Sequence, residues 1–141
     1  MPARSNAEWQ GDLRSGHGTF TAGDTIHGEF SFHSRFEDGP GANPEQLIGA
    51  ANAACFSMAL SNALAQAGTP VESVKTDAVV TIRQIDGKPT IASIALSTVG
   101  VVAGIDEQTF REAAEEAKTG CIVSRALAGV PEITLEATLA G

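Results

Sequence analysis

Two cysteines, Cys55 and Cys121, are the only thiols among 141 residues, and each stands where sulfur could do chemistry. Cys55 lies inside the apolar run 43–60, Asn-Pro-Glu-Gln-Leu-Ile-Gly-Ala-Ala-Asn-Ala-Ala-Cys-Phe-Ser-Met-Ala-Leu. Cys121 follows Gly120 and opens the run Cys-Ile-Val-Ser-Arg-Ala-Leu. A pair so distant, in a chain whose first residues do not read as a secretion signal, is expected to do thiol redox work rather than serve as a structural staple. A cysteine in a buried helix is ordinarily an inert small hydrophobe, and apolar burial raises a thiol pKa. A reactive Cys55 therefore needs a cation beside it. Arg35, in the charged, glycine-rich stretch before the helix, is the best-placed one. Cys121 has the more favourable local setting, because unpaired N–H groups at a helix start favour a thiolate. On local physics alone Cys121 is the more acidic sulfur; its bland alternative is a buried cap residue.

These side chains need elements to hold them. Strands are expected at Glu8–Asp12, Gly18–Ala22 and Thr25–Phe32, separated by the turn chemistry of 15–18 and 22–24. An irregular loop should follow over Arg35–Gly41, with Gly39-Pro40-Gly41 as a turn. Asn43 reads as an N-cap and Pro44 as the first helical residue; the helix should run to Gln66 and stop at Gly68 and Pro70. Its apolar residues go nearly all round, which predicts burial on most faces. Val71–Ile85 and Pro89–Val102 form strands joined by Asp86-Gly87, a strong hairpin signal. Asp106 should cap a helix over Glu107–Thr119, with Phe110, Ala113, Ala114 and Ala117 facing the core. The strand Glu132–Leu139 alternates, with Ile133, Leu135, Ala137 and Leu139 inward. The order βββ-α-ββ-α-short α-β is an α+β fold, one domain over 1–141, with strands in hairpins and helices on one face.

Composition narrows the function. With 43% hydrophobic residues a packed core is expected, and a net charge of −8 argues against nucleic acid. The run Leu47–Leu60, interrupted by Asn52 and Ser57, reads as too polar to span a bilayer, so no membrane partner and a reducing cytoplasm are expected. His17, His27 and His33 have no zinc spacing, so neither metal nor cofactor is expected.

The stretches Asn43-Pro44-Glu45-Gln46-Leu47, 53–60 (Ala-Ala-Cys-Phe-Ser-Met-Ala-Leu) and 121–127 resemble the motifs of the OsmC/Ohr family of organic hydroperoxide peroxidases. Trp9-Gln10-Gly11-Asp12, Ser34-Arg35-Phe36-Glu37 and Gly104-Ile105-Asp106 resemble its OsmC branch, so the likeness covers essentially the whole chain. One departure is Ile122, where the family often has proline after the second cysteine. The resemblance implies a thiol peroxidase of stress defence. Cys55 would be the peroxidatic cysteine, Cys121 the resolving one, and Arg35 with Glu45 the activating pair. Arg14 is the alternative arginine, since in the Ohr branch it comes from an earlier segment. The resemblance also implies an intertwined homodimer, no cofactor, and an external dithiol, a lipoylated protein or a small dithiol, as reductant. Its rivals are a non-catalytic stress-induced dimer that binds an apolar ligand, its cysteines buried, and a thiol–disulfide oxidoreductase, which would want a Cys-x-x-Cys motif.

Helix arithmetic adds its own argument for a dimer. Glu45 and Cys55, ten residues apart on one helix, are separated by roughly 15 Å along the axis and about 80° around it. A Glu45 that belongs to a Cys55 site is most simply supplied by a second copy of the helix, crossing near the small residues Gly49-Ala50-Ala51.

Overall fold

At Gly18 the absence of a side chain lets two aromatic rings meet over a strand. Gly18 pairs with Trp9 on one side and Phe30 on the other, and the two rings lie 5.6 Å apart between centroids. A Cβ at Gly18 would stand 2.5 Å from the Phe30 ring and 2.8 Å from that of Trp9. The computed structural model describes residues 1–140 and resolves into two compact units, Met1–Leu47 and Ile48–Gly141.

The first unit is an antiparallel meander of β1 (Ser5–Gln10), β2 (His17–Ala22) and β3 (Ile26–Phe30), followed by the short helix α1 (Phe32–Phe36). β1 begins and ends earlier than the sequence suggests. Gly11 turns the chain with φ 91°, and the Asp12 carboxylate accepts from the Ser15 N–H (2.7 Å) and hydroxyl (2.6 Å), which fixes a loop where a strand was expected. β3 also stops short, because Ser31 caps α1. Its hydroxyl accepts from the Ser34 N–H at 3.0 Å, and the Ser34 hydroxyl oxygen accepts from the Ser31 N–H at 2.9 Å. Arg35 therefore sits on a helical turn rather than in a loop. Removing this cap with Ser31→Ala should cost about 1 kcal/mol, read as a lowered denaturation midpoint.

The helix α2 (Pro44–Gln66) starts and stops where expected. Asn43 Oδ1 accepts from the Gln46 N–H at 2.8 Å. At the far end Gly68, at φ 90°, allows Thr69 N–H to reach Leu64 C=O (2.9 Å) and Gly68 N–H to reach Ala65 C=O (3.0 Å). α2 is not buried on most faces within one chain. One stripe, Glu45, Gly49, Asn52, Phe56, Leu60 and Leu64, is buried, while Ala50, Ala51, Ala54 and Met58 (74% accessible) are exposed. Gly49 lies on the buried stripe; a Cβ there would stand 3.2 Å from Val80, so its smallness serves β4 of its own chain. One expectation needs correction: at 23 residues and mean hydropathy 1.4, α2 is long and apolar enough to cross a membrane, since Asn52 and Ser57 dilute the run too little. Here Phe56, Leu60 and Leu64 of the helix pack into a core instead.

In the second unit β4 (Ser73–Ile85) and β5 (Lys88–Val101) form the expected hairpin. Asp86 and Gly87, at φ 51° and 76°, make the two-residue turn with left-handed backbone that matches strand twist. α3 (Glu107–Gly120) and α4 (Ile122–Ala126) then carry the chain over to β6 (Glu132–Leu139), which lies parallel to β5. Hairpins alone were expected; an alternating strand pattern does not state which way its neighbour runs, and the crossover through α3 and α4 permits the parallel choice. The sheet is buried on one face. Ile94, Leu96, Thr98 and Gly100 are buried, and Ala95, Ser97 and Val99 between them are exposed. On the buried face lie Phe56, Leu60 and Leu64 of α2, Phe110, Ala114 and Ala117 of α3, and Ala137 of β6. The result is the mixed α+β architecture read from the sequence.

Candidate active site

α3 ends and α4 begins at the same residue. Cys121 N–H donates to Ala117 C=O at 2.9 Å, closing α3, while Cys121 C=O accepts from Arg125 N–H at 3.0 Å, opening α4. This double role fixes the Cys121 backbone and turns its side chain into the core, where 1% of the residue is accessible. Asp106 anchors the other end of α3, accepting from the Thr109 N–H at 2.8 Å.

Cys55 is half-buried on α2 and packs against the core cluster that contains Cys121; both cysteines are free thiols. Burial pushes the Cys121 thiol up. The bond from Cys55, the N–H and hydroxyl of Ser124 and the N–H of Val123 outweigh that burial and leave its pKa below the ordinary thiol value. The local expectation of an acidic Cys121 thus has a physical basis in donors that converge on its sulfur. Between the lowered value and 9.0 the unfolded chain keeps a proton that the folded chain has released. Stability of the reduced protein should therefore rise with pH across that interval and fall as pH drops through the folded value. Denaturant titrations at successive pH values should show this rise in the native protein and its loss in Cys121→Ser.

Asn52, one turn before Cys55, completes the surroundings of Cys121. It is fully buried. Its Nδ2 donates to Ser124 Oγ at 2.9 Å and lies 3.9 Å from Cys121 Sγ. Neither Asn52 nor Ser124 figured in the sequence reading as a site residue. A lone amide on the core stripe of an otherwise apolar stretch was the available signal.

The first unit holds the other pair. Arg35 grips Glu45 in a forked ion pair: Nη2 to Oε1 at 2.7 Å, and Nε to Oε1 and Oε2 at 3.0 and 3.2 Å. Glu45 is 6% accessible. The guanidinium also lies 5.2 Å from the Phe36 ring centroid. Arg14 instead stacks on Phe32, 4.6 Å from its centroid, and makes no ion pair among the described residues. The four residues singled out by the sequence thus come together as two pairs, Arg35 with Glu45 and Cys55 with Cys121.

The OsmC-like protein family matches residues 37–136 of this chain. Peroxiredoxin OsmC of Escherichia coli is 43% identical over 135 residues, covering 94% of this chain and 93% of that protein, and the Shigella flexneri protein of the same name matches equally. The chain belongs to the OsmC-like family. Solved structures agree on the fold. An OsmC-like protein from Vibrio cholerae superposes with a TM-score of 0.77 at 17% identity, covering 97% of this chain and 99% of that one. An organic hydroperoxide resistance protein OsmC from Legionella pneumophila gives 0.73 at 22%, covering 98% and 97%. Within the OsmC-like chain described here, Ile122 stands at the first position of α4 and is largely exposed. That is a position where a proline would lose no hydrogen bond.

Proposed function

We propose that this OsmC-like protein is a cysteine-based peroxidase that reduces organic hydroperoxides to alcohols. The observation that carries the reading is the packing of half-buried Cys55 against the core cluster that contains Cys121, two thiols that only tertiary folding brings together. Its kinship with proteins named peroxiredoxin supports the same class of activity.

Access decides which sulfur attacks. Cys121 is sealed in the core, whereas Cys55 is half-buried and open to substrate, so acidity at Cys121 does not make it the nucleophile. Cys55 gives its proton to solvent and reacts as the thiolate. The Cys55 thiolate attacks the terminal peroxide oxygen; an S–O bond forms and the O–O bond breaks. The departing alkoxide takes a proton from solvent and leaves as the alcohol, with a sulfenic acid on Cys55. Cys121 then displaces hydroxide to form the disulfide, which an external dithiol, on a lipoylated protein or a small molecule, reopens by exchange. Arg35 stabilises charge on the thiolate and along the breaking O–O bond, and Glu45 orients it. Neither a metal nor a cofactor enters this scheme.

The functional unit in this reading is a homodimer of 1–141 single-domain protomers. Arg35 is bound to Glu45 of its own chain. Ten residues on one helix amount to roughly 15 Å of axis, so in this reading the Arg35–Glu45 pair serves Cys55 of a second copy. The exposed Ala50, Ala51, Ala54 and Met58 face of α2 is the surface on which that copy would lie, and an apolar helix face left in water supports such a partner. A reducing cytoplasm suits the transient disulfide.

Treating reduced protein with one equivalent of an organic hydroperoxide should consume both thiols per chain, counted with a thiol reagent. Retention of both thiols would instead favour a non-catalytic protein with buried cysteines.

A further inference from the structure

Asn52 is the one fully buried polar side chain of α2 and carries the one buried side-chain atom without a hydrogen-bond partner among the described residues, its Oδ1. The rest of its amide is committed. Nδ2 donates to Ser124 Oγ at 2.9 Å and approaches Cys121 Sγ at 3.9 Å. Because Ser124 Oγ accepts from Asn52, its own O–H is left to donate, and Ser124 is among the groups that lower the Cys121 pKa. A buried carbonyl left without a donor is costly, so Oδ1 calls for a hydrogen that the resting protein does not supply.

We propose that Asn52 is a positioning residue for disulfide formation: its Nδ2, with Ser124, holds the Cys121 sulfur in line, and its Oδ1 accepts the O–H of a sulfenic acid on Cys55. This rests on the peroxidase reading. One helical turn separates Asn52 from Cys55, so an amide whose Nδ2 lies 3.9 Å from the Cys121 sulfur also neighbours the Cys55 position on α2. In the step, the Cys121 thiolate attacks the Cys55 sulfur, the S–S bond forms, and the S–O bond breaks. The sulfenic sulfur is reduced and the thiolate oxidised; hydroxide leaves and takes a proton from solvent. A free sulfenic O–H held on Oδ1 keeps the S–O bond aligned opposite the incoming sulfur.

The test compares Asn52→Leu, of similar volume and without polar atoms, with Ser124→Ala and the native protein. Single-turnover oxidation by an organic hydroperoxide gives two rates: loss of the first thiol, and decay of the sulfenic acid trapped by a dione reagent. Asn52→Leu should leave the first rate within about twofold and slow the second roughly 10- to 100-fold, with over-oxidised Cys55 accumulating. Ser124→Ala should slow the second rate in the same direction, and the two effects should not add. A second arm needs no peroxide. An aromatic disulfide reagent reacts at accessible Cys55, and release of a second thiolate equivalent reports attack by Cys121; Asn52→Leu should slow that release too. Unchanged disulfide formation in both arms, or equal slowing of both rates in the first, would overturn the proposal. Failure of the native protein to react with any hydroperoxide would remove the peroxidase reading alone. The second arm would still decide whether Asn52 and Ser124 set the attack of Cys121. Circular dichroism of Asn52→Leu separates misfolding from mispositioning; if that variant does not fold, Ser124→Ala carries the comparison.

Discussion

Cys55→Ser should reduce hydroperoxide turnover to the uncatalysed rate, while Cys121→Ser should consume one equivalent of peroxide and stop. The asymmetry follows from exposure. Cys55 is half-buried and Cys121 sealed, so the proposed mechanism gives the first to substrate and keeps the second to close a disulfide on it. A serine hydroxyl is far too weak a nucleophile at neutral pH to replace the thiolate. Without Cys121 the sulfenic acid has no internal partner and should be captured by a dione reagent or climb to sulfinic acid under excess peroxide. Mass spectrometry of the two variants after one equivalent distinguishes these states. A sulfenic acid on Cys121 in the Cys55→Ser protein would reverse the roles and make acidity, not access, the deciding property.

Arg35→Ala should lower kcat/KM by about two orders of magnitude, the usual scale for losing one pre-aimed donor to developing negative charge. Glu45→Gln should cost less, since it loosens the guanidinium without removing it. The decisive form of the experiment mixes variants. In a purified heterodimer of Arg35→Ala with Cys55→Ser, a site built across two chains leaves one intact copy, from Cys55 of the first and Arg35 of the second. Activity of about half the native value is then expected, by symmetry. A site built within one chain leaves none. If Arg14→Ala removes activity while Arg35→Ala keeps it, the activating cation has been assigned to the wrong segment.

What the sequence disclosed was mostly local. Asn43-Pro44, Asp86-Gly87 and Asp106 carry their structure in one or two side chains, and each marks the boundary it suggested. The strict alternation of Glu132–Leu139 matches its burial residue by residue. α1 was missed because its cap is formed by Ser31 with Ser34, not by the usual acidic partner, and because Phe30 and Phe32 alternate like a continuing strand, with glycines close behind that read as loop. β1 was misplaced because Ser5, Asn6 and Ala7 are exposed and show no alternation to read. The Arg35–Glu45 pair lay close in sequence and was named. The Asn52–Ser124 bond joins residues 72 positions apart, and no local pattern encodes such a meeting.

The parallel pairing of β6 with β5 decides where the second sulfur lies. A parallel neighbour cannot be added by a tight turn; the chain must cross back over the sheet, and α3 and α4 make that crossing before β6 runs along Ser93–Gly100. Cys121 sits where those two helices join, so the connection that makes β6 parallel is also the one that carries the second sulfur into the core against which Cys55 packs. Sheet topology and the meeting of the two sulfurs are one architectural decision: a hairpin in place of the crossover would remove the segment that bears Cys121.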